Sequence, residues 1–167
     1  MSTLDRLLAS LPQAGRVEWL GVRPARRQPL TEVDVVEARV AAGLTGDRCK
    51  GGGREVTLIQ AEHLAAVASM LGLPAVDAGL VRRNVVVRGI NLLALVGGRF
   101  RIGEALLEGT GRCHPCSRME ENLGAGGYNA MRGHGGITTR VVESGLIRVG
   151  DAVRLVTPGR LSAEERD

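Results

Sequence analysis

Residues 112–118 read Arg-Cys-His-Pro-Cys-Ser-Arg, which places two thiols, an imidazole and two guanidiniums side by side. A thiolate attacks sulfur and binds soft metals, and a neighbouring cation raises the thiolate fraction. Arg112, Arg118 and a protonated His114 flank Cys113 and Cys116 in that way. Other uses of the spacing are a buried packing cysteine or half of a zinc site, for which one C-x-x-C pair is a weak signal. A thioredoxin-like pair should open a helix after the first strand of a βαβ unit, whereas the residues before this pair read as late β structure. The charged flanks argue against a plain core strand.

Three other stretches carry chemistry. Residues 43–54 form a glycine-rich loop bearing Arg48, Cys49, Lys50 and Arg54. Glycines let backbone N–H groups approach a ligand closely, but neither G-K-[ST] nor G-x-G-x-x-G is present. Arg82-Arg83-Asn84 precedes an apolar run, and residues 123–136 are again glycine-rich, with Arg132 and His134. His63 falls inside a helical pattern and reads as a surface or packing residue. Cys49, Cys113, Cys116 and one of His114 or His134 would make a Cys₃His zinc site. That non-catalytic structural reading, and a redox dithiol of Cys113 and Cys116, stand as alternatives.

The elements that must position these residues are short. A helix is expected over 4–11, ending before Pro12, and another over 61–71, closed by Gly72. Strands are expected over 16–22, 33–40, 54–59, 85–87, 137–142, 146–149 and 152–156, and over 100–108 as two pieces interrupted at Gly103. Short strands between glycine turns imply a mainly β (α+β) fold, a barrel with a few peripheral helices. At 167 residues the chain is one domain, and 44% hydrophobic content supports a core. Trp19, Phe100 and Tyr128 are its only aromatics, so that core is aliphatic.

The net charge is +4, with Lys50 the sole lysine among arginines. No Lys/Arg run and few aromatics argue against nucleic acid; guanidiniums suit a small anion. No leader pattern or long apolar run is visible, and three cysteines fit reduced thiols, so the expected compartment is the cytoplasm, with no membrane association.

The ordered series L-T-G-D-R (44–48), R-E-V-T-L-I-Q (54–60), R-R-N-V-V-V (82–87), R-I-G-E-A-L-L-E (101–108), P-C-S-R (115–118), R-G-H-G-G-I (132–137) and I-R-V-G-D (147–151) resembles the MOSC domain, named for the C-terminal domain of molybdenum cofactor sulfurase. The resemblance spans 15–157, leaving a helical extension at 1–14 and a polar tail at 158–167. It implies a β-barrel-like domain, a pocket for molybdenum cofactor (molybdopterin) or a related sulfur-bearing species, and one important cysteine. Small bacterial members keep a cysteine after proline, which carries over to Cys116. In the amidoxime-reducing branch the cysteine directly follows arginine; here Met119 stands there. No desulfurase or iron–sulfur segment is present, so a cysteine desulfurase or an electron-donor protein is the implied partner.

On this reading Cys116 carries a persulfide or ligates molybdenum, possible activities being sulfur transfer and reduction of N-hydroxylated compounds. Arg118 and His134 act beside it. Arg48, Arg54, Arg82, Arg83 and Arg112 meet the anionic cofactor, and Asn84 meets a pterin edge. In an extended segment Arg118 would share a face with Cys116. The loops at 44–54, 82–84, 113–116 and 132–136 are expected to converge on one basic pocket.

Overall fold

Period-two patterning with glycine punctuation yields short strands that pair with their neighbours. The computed structural model describes residues 1–49 and 51–161. In chain order the elements are α1 (Thr3–Ala9), β1 (Gly15–Val22), β2 (Thr31–Val33), β3 (Val35–Arg39), β4 (Gly43–Leu44), β5 (Val56–Gln60), α2 (Ala61–Leu71), β6 (Val85–Arg88), β7 (Arg99–Ile102), β8 (Ala105–Arg112), α3 (Ser117–Leu123), α4 (Gly127–Met131), β9 (Ile137–Glu143), β10 (Gly145–Arg148) and β11 (Ala152–Thr157). Turns of 3₁₀ helix at Ala78–Val81 and Leu92–Leu95 precede β6 and β7.

Seven strands close into a barrel in the order β1-β6-β5-β9-β8-β7-β11, with β11 returning to β1 through the pair Gly15↔Val153. Closure removes the edge strands that would otherwise invite further pairing. β2 hangs on β1, and β10-β3-β4 form a small second sheet. β5 and β6 run parallel, in the register Leu58↔Val85. A parallel pair needs a crossover, which α2 and the 78–81 turn supply. Helix α2 ends at Gly72, whose φ of 69° places it in the left-handed region, the ordinary helix stop.

Two apolar clusters use opposite faces of the same strands. Val85 and Val87 point into the barrel, with Leu20, Leu58, Phe100 and Leu107. Val86 and Ile59 point outward, where Val67 of α2, Met119 of α3 and Met131 of α4 cover them. Both faces are therefore dry, and the run 85–87 is uniformly apolar for that reason.

The structure departs from expectation at the helices. The stretch expected as extended after Cys116 is α3, and the stretch expected as loop contains α4. Met119 and Leu123, four residues apart on α3, pack onto the outer cluster, which is a helical spacing; the surrounding glycines obscure it. Strand 33–40 is split into β2 and β3. The start of the expected tail is laid on the barrel, where Gly159, Arg160 and Leu161 line a hollow with Leu8 and Val96. Residues 162–167 of that tail lie outside the described residues.

Candidate functional site: a basic cleft with three cysteines

Outside the barrel, between β5, the 82–84 segment and the start of α3, lies a cleft of about 290 Å³. It is lined by Arg23, Arg48, Cys49, Arg54, Thr57, Arg82, Arg83, Cys113, His114, Cys116 and Met119. Three of the four segments expected to converge meet here. The fourth, 132–136, supports the cysteine loop from behind. Cys113 donates its amide to the Gly136 carbonyl at 2.8 Å. A β-carbon on Gly135 would stand 2.1 Å from the Cys113 carbonyl oxygen, and one on Gly136 1.8 Å from that of Leu58. The glycine pair is thus required by close backbone approach.

The cleft gathers arginines without matching acids. Some arginines elsewhere pair with carboxylates, as in Arg39–Glu37, Arg99–Glu108, Arg140–Glu108 and Arg148–Glu104, but the cleft sets several unpaired ones side by side. Among the described residues lining the cleft, Arg23 alone has a carboxylate partner, Asp47 at 3.2 Å. Arg83 is the most demanding case. It is 6% exposed, and its guanidinium donates only to carbonyls: Gly135 and Val81 at 2.8 Å, Cys113 and His114 at 3.4 Å. Burial pushes its pKa below the ordinary arginine value, with Cys113 and Cys116 opposing that shift. Burial also lowers Arg82, helped by the nearby charges of Arg23, Arg118 and Arg48. A buried charge without a counter-ion is costly, so an anion entering this cleft would relieve that cost.

A polar buttress fixes the cleft wall. The Asn84 Oδ1 accepts from the Thr57 amide and hydroxyl and from Arg23 Nη2, each at 3.1 Å. Its Nδ2 donates to the Gly21 carbonyl and to Asp47 Oδ1, both at 3.0 Å. Asp47 in turn accepts from the amides of Arg23 at 2.7 Å and Cys49 at 3.0 Å. The expected contact of Asn84 with a pterin edge is therefore corrected. It is fully buried, its amide is consumed within the fold, and its part is to hold the glycine-rich loop on the sheet.

Three further side chains, His134, Arg112 and Arg118, lie elsewhere than expected. His134 faces His63, with ring centroids 5.0 Å apart and planes nearly perpendicular; its Nδ1 is buried without a partner, and it does not line the basic cleft. His63, expected on the surface or in packing, is half-buried in that pair. Arg112 borders a small cavity of about 20 Å³ with Gln60 and His63, on the other side of Cys113 and His114. Arg118 belongs to the first turn of α3, where it pairs with Glu121 at 3.2 Å. The alternation that would have aligned it with Cys116 does not apply to a helix.

The cysteines differ in access: Cys116 is exposed, Cys49 is half-buried and Cys113 is buried. Cys116 occupies the extended N-cap of α3, with φ −123° and ψ 178°. All three are free thiols. Among the described residues no three His, Cys, Asp or Glu side chains gather as a metal site, so the alternative Cys₃His cluster does not assemble. Sequence reasoning missed Arg23, Thr57 and Met119 as cleft residues. Arg23 lies in a basic, proline-broken stretch that gave no further signal. Thr57 is the one polar residue on the outward face of β5. Met119 directly follows Arg118, where the resemblance would put the reductase branch's cysteine, and that was the available clue.

The chain belongs to the MOSC domain family, whose model matches residues 44–154. No sequence among curated proteins matches it. Solved structures share its fold. The YuaD protein from Bacillus subtilis is 18% identical with a TM-score of 0.75, covering 89% of this chain and 98% of that one. YiiM from Escherichia coli is 21% identical with a TM-score of 0.70, covering 90% and 72%. YiiM from Geobacillus stearothermophilus is 19% identical with a TM-score of 0.70, covering 85% and 75%. Among the described residues no helix is long and apolar enough to cross a membrane.

Proposed function

We propose that this is a stand-alone MOSC protein whose basic cleft binds molybdenum cofactor and whose Cys116 is the sulfur-carrying thiol. One observation carries the reading: an exposed cysteine opens onto a cleft whose arginines, Arg23 apart, lack carboxylate partners among the described residues. The residues suit the group. Its phosphate needs planar donors, which Arg48, Arg54 and Arg82 provide from the cleft rim. The buried charge of Arg83 gains a counter-ion when an anion enters. When bound, the cofactor would supply a molybdenum centre with sulfur ligands, towards which a thiolate is a suitable soft donor.

Sulfur carriage needs only the chain and a persulfide donor. The Cys116 thiolate attacks the terminal sulfur of a donor R–S–SH, forming Cys116–S–SH and releasing R–S⁻. One S–S bond forms as another breaks, so no external oxidant or reductant is required. Exposure of Cys116 permits the encounter with a second protein, and a cysteine desulfurase is the matching donor class. Met119 at the reductase-branch position favours sulfur carriage over reduction of N-hydroxylated compounds.

The test is anaerobic purification of the protein and of its Cys116→Ala and Arg48→Ala variants, followed by metal analysis, oxidised-pterin fluorescence and intact mass. Wild type should carry pterin or a mass increment of one sulfur. Cys116→Ala should lose the increment, and Arg48→Ala should lose pterin. Equal pterin and mass in all three proteins would defeat the reading.

A further inference from the structure

Two cysteines of the cleft have no part in loading Cys116, and they differ in what they can do. Cys113 is 5% exposed. Its amide is given to the Gly136 carbonyl, and its own carbonyl accepts from Arg83. Pro115 disfavours the helical region at His114, and Cys116 is itself extended, with φ −123°. Three extended residues span about 10 Å, whereas the α-carbons of bonded cysteines stand only about 4.4–6.8 Å apart. The local chain therefore holds Cys113 away from Cys116.

Cys49 comes from a different segment, the glycine-rich loop, and lines the same space of about 290 Å³ as Cys116. It is half-buried and free. Its amide donates to Asp47 at 3.0 Å, and Asp47 is held in turn by Asn84 and Arg23. Beyond it Gly51, Gly52 and Gly53 have left-handed backbone, at φ 70°, 72° and 75°. A β-carbon on Gly52 meets nothing within 4 Å. The loop thus has an anchor on one side of Cys49 and slack on the other. Arg48 and Arg54 line the cleft with it, and among the described residues neither has a carboxylate partner.

Exposure opens Cys116 to a protein donor. It opens a Cys116 persulfide equally to any free thiol in the surroundings, which would strip the terminal sulfur by the same exchange. A carrier keeps its cargo longer if the sulfur moves inward.

We propose that Cys49 is the second thiol of a sulfur relay, taking the terminal sulfur from Cys116 and holding it inside the cleft. The Cys49 thiolate attacks the terminal sulfur of Cys116–S–SH, giving Cys49–S–SH and the Cys116 thiolate. One S–S bond forms as one breaks, the hydrogen travels with the transferred sulfur, and no oxidant or reductant is required. A persulfide ionises more readily than a thiol, and Arg48 and Arg54 stand ready to pair with the anion. This inference rests on the carrier reading of Cys116 and adds where the sulfur is kept.

Glutathione persulfide, added anaerobically to the whole chain and then removed by gel filtration, loads the thiols for alkylation and peptide-resolved mass analysis. In wild type the extra sulfur should be found on Cys49. In Cys49→Ser and Cys49→Ala it should stay on Cys116, with melting curves verifying the fold. Glutathione added afterwards should strip sulfur from these variants at least about tenfold faster than from wild type, because an exposed persulfide meets external thiol freely. Sulfur confined to Cys116 in wild type, sulfur on Cys113, or equal stripping rates would overturn the relay. So would loading of Cys49 in Cys116→Ala at the wild-type rate, since Cys49 would then need no first thiol. The carrier reading fails on a different result, no sulfur on any cysteine of wild type, and the relay fails with it.

Discussion

Replacing Asn84 by alanine tests whether the wall of the cleft is built as described. The substitution removes both polar atoms of a fully buried side chain. The Thr57 amide and the Gly21 carbonyl each lose the partner they have in Asn84. A buried polar group left without a partner costs about 1–3 kcal/mol, so two give roughly 2–6, with a central value of about 4 kcal/mol. For a chain of this size each kcal/mol lowers the melting temperature by about 2–4 °C, so a fall of ~8–16 °C is expected. Arg23 and Asp47 still have each other, and the fold should survive. Thermal unfolding followed by circular dichroism measures the shift, and pyrophosphate binding is measured in parallel. A melting temperature within about 2 °C of wild type together with a large loss of anion affinity would show Asn84 meeting the ligand and not supporting the wall.

Two other outcomes follow from single contacts. His63 has a folded-state pKa below 6.5, chiefly through burial, with His134 adding to the shift and Glu62 opposing it. The unfolded chain therefore takes up a proton that the folded chain resists, and stability falls as pH drops from about 6.5 to the lower folded-state value. His63→Gln should flatten that part of a stability-against-pH curve, and an unchanged slope would count against the assignment. Gly133 and Gly136 both have left-handed backbone, at φ 78° and 83°, but a β-carbon meets nothing within 4 Å at the first and backbone at 1.8 Å at the second. Gly133→Ala should cost about 1 kcal/mol and Gly136→Ala several times as much, read from urea midpoints; equal costs would contradict the packing of the cysteine loop.

Much of the barrel could be read from the sequence, because strands buried on one or both faces leave local patterns. Val85-Val86-Val87 and the interruption at Gly103 between β7 and β8 gave direct signals. Helix α2 was legible to the residue, because an amphipathic run stops at Gly72. Helices α3 and α4 were hidden because each is short and set among glycines. Their stability comes from Met119 and Met131 packing on the outer cluster, which is tertiary information. In the site, residue type identified the arginines but could not say which of them reach the cleft. Arg48, Arg54, Arg82 and Arg83 do so, whereas Arg112 and Arg118 turn to neighbouring hollows. His134 and Asn84 looked like ligand contacts because polar residues among glycines or beside arginines are ambiguous until burial is known.

If Cys116 is the accessible thiol of an anion-binding cleft, an anion should shield it. Peptide-resolved alkylation by iodoacetamide at neutral pH, with and without inorganic pyrophosphate, reads that shielding residue by residue. Cys116 should react fastest, Cys113 slowest, and pyrophosphate should slow Cys116 in wild type but much less in Arg48→Ala. Faster labelling of Cys49 or Cys113, or a Cys116 rate indifferent to the anion, would rule this assignment of Cys116 out.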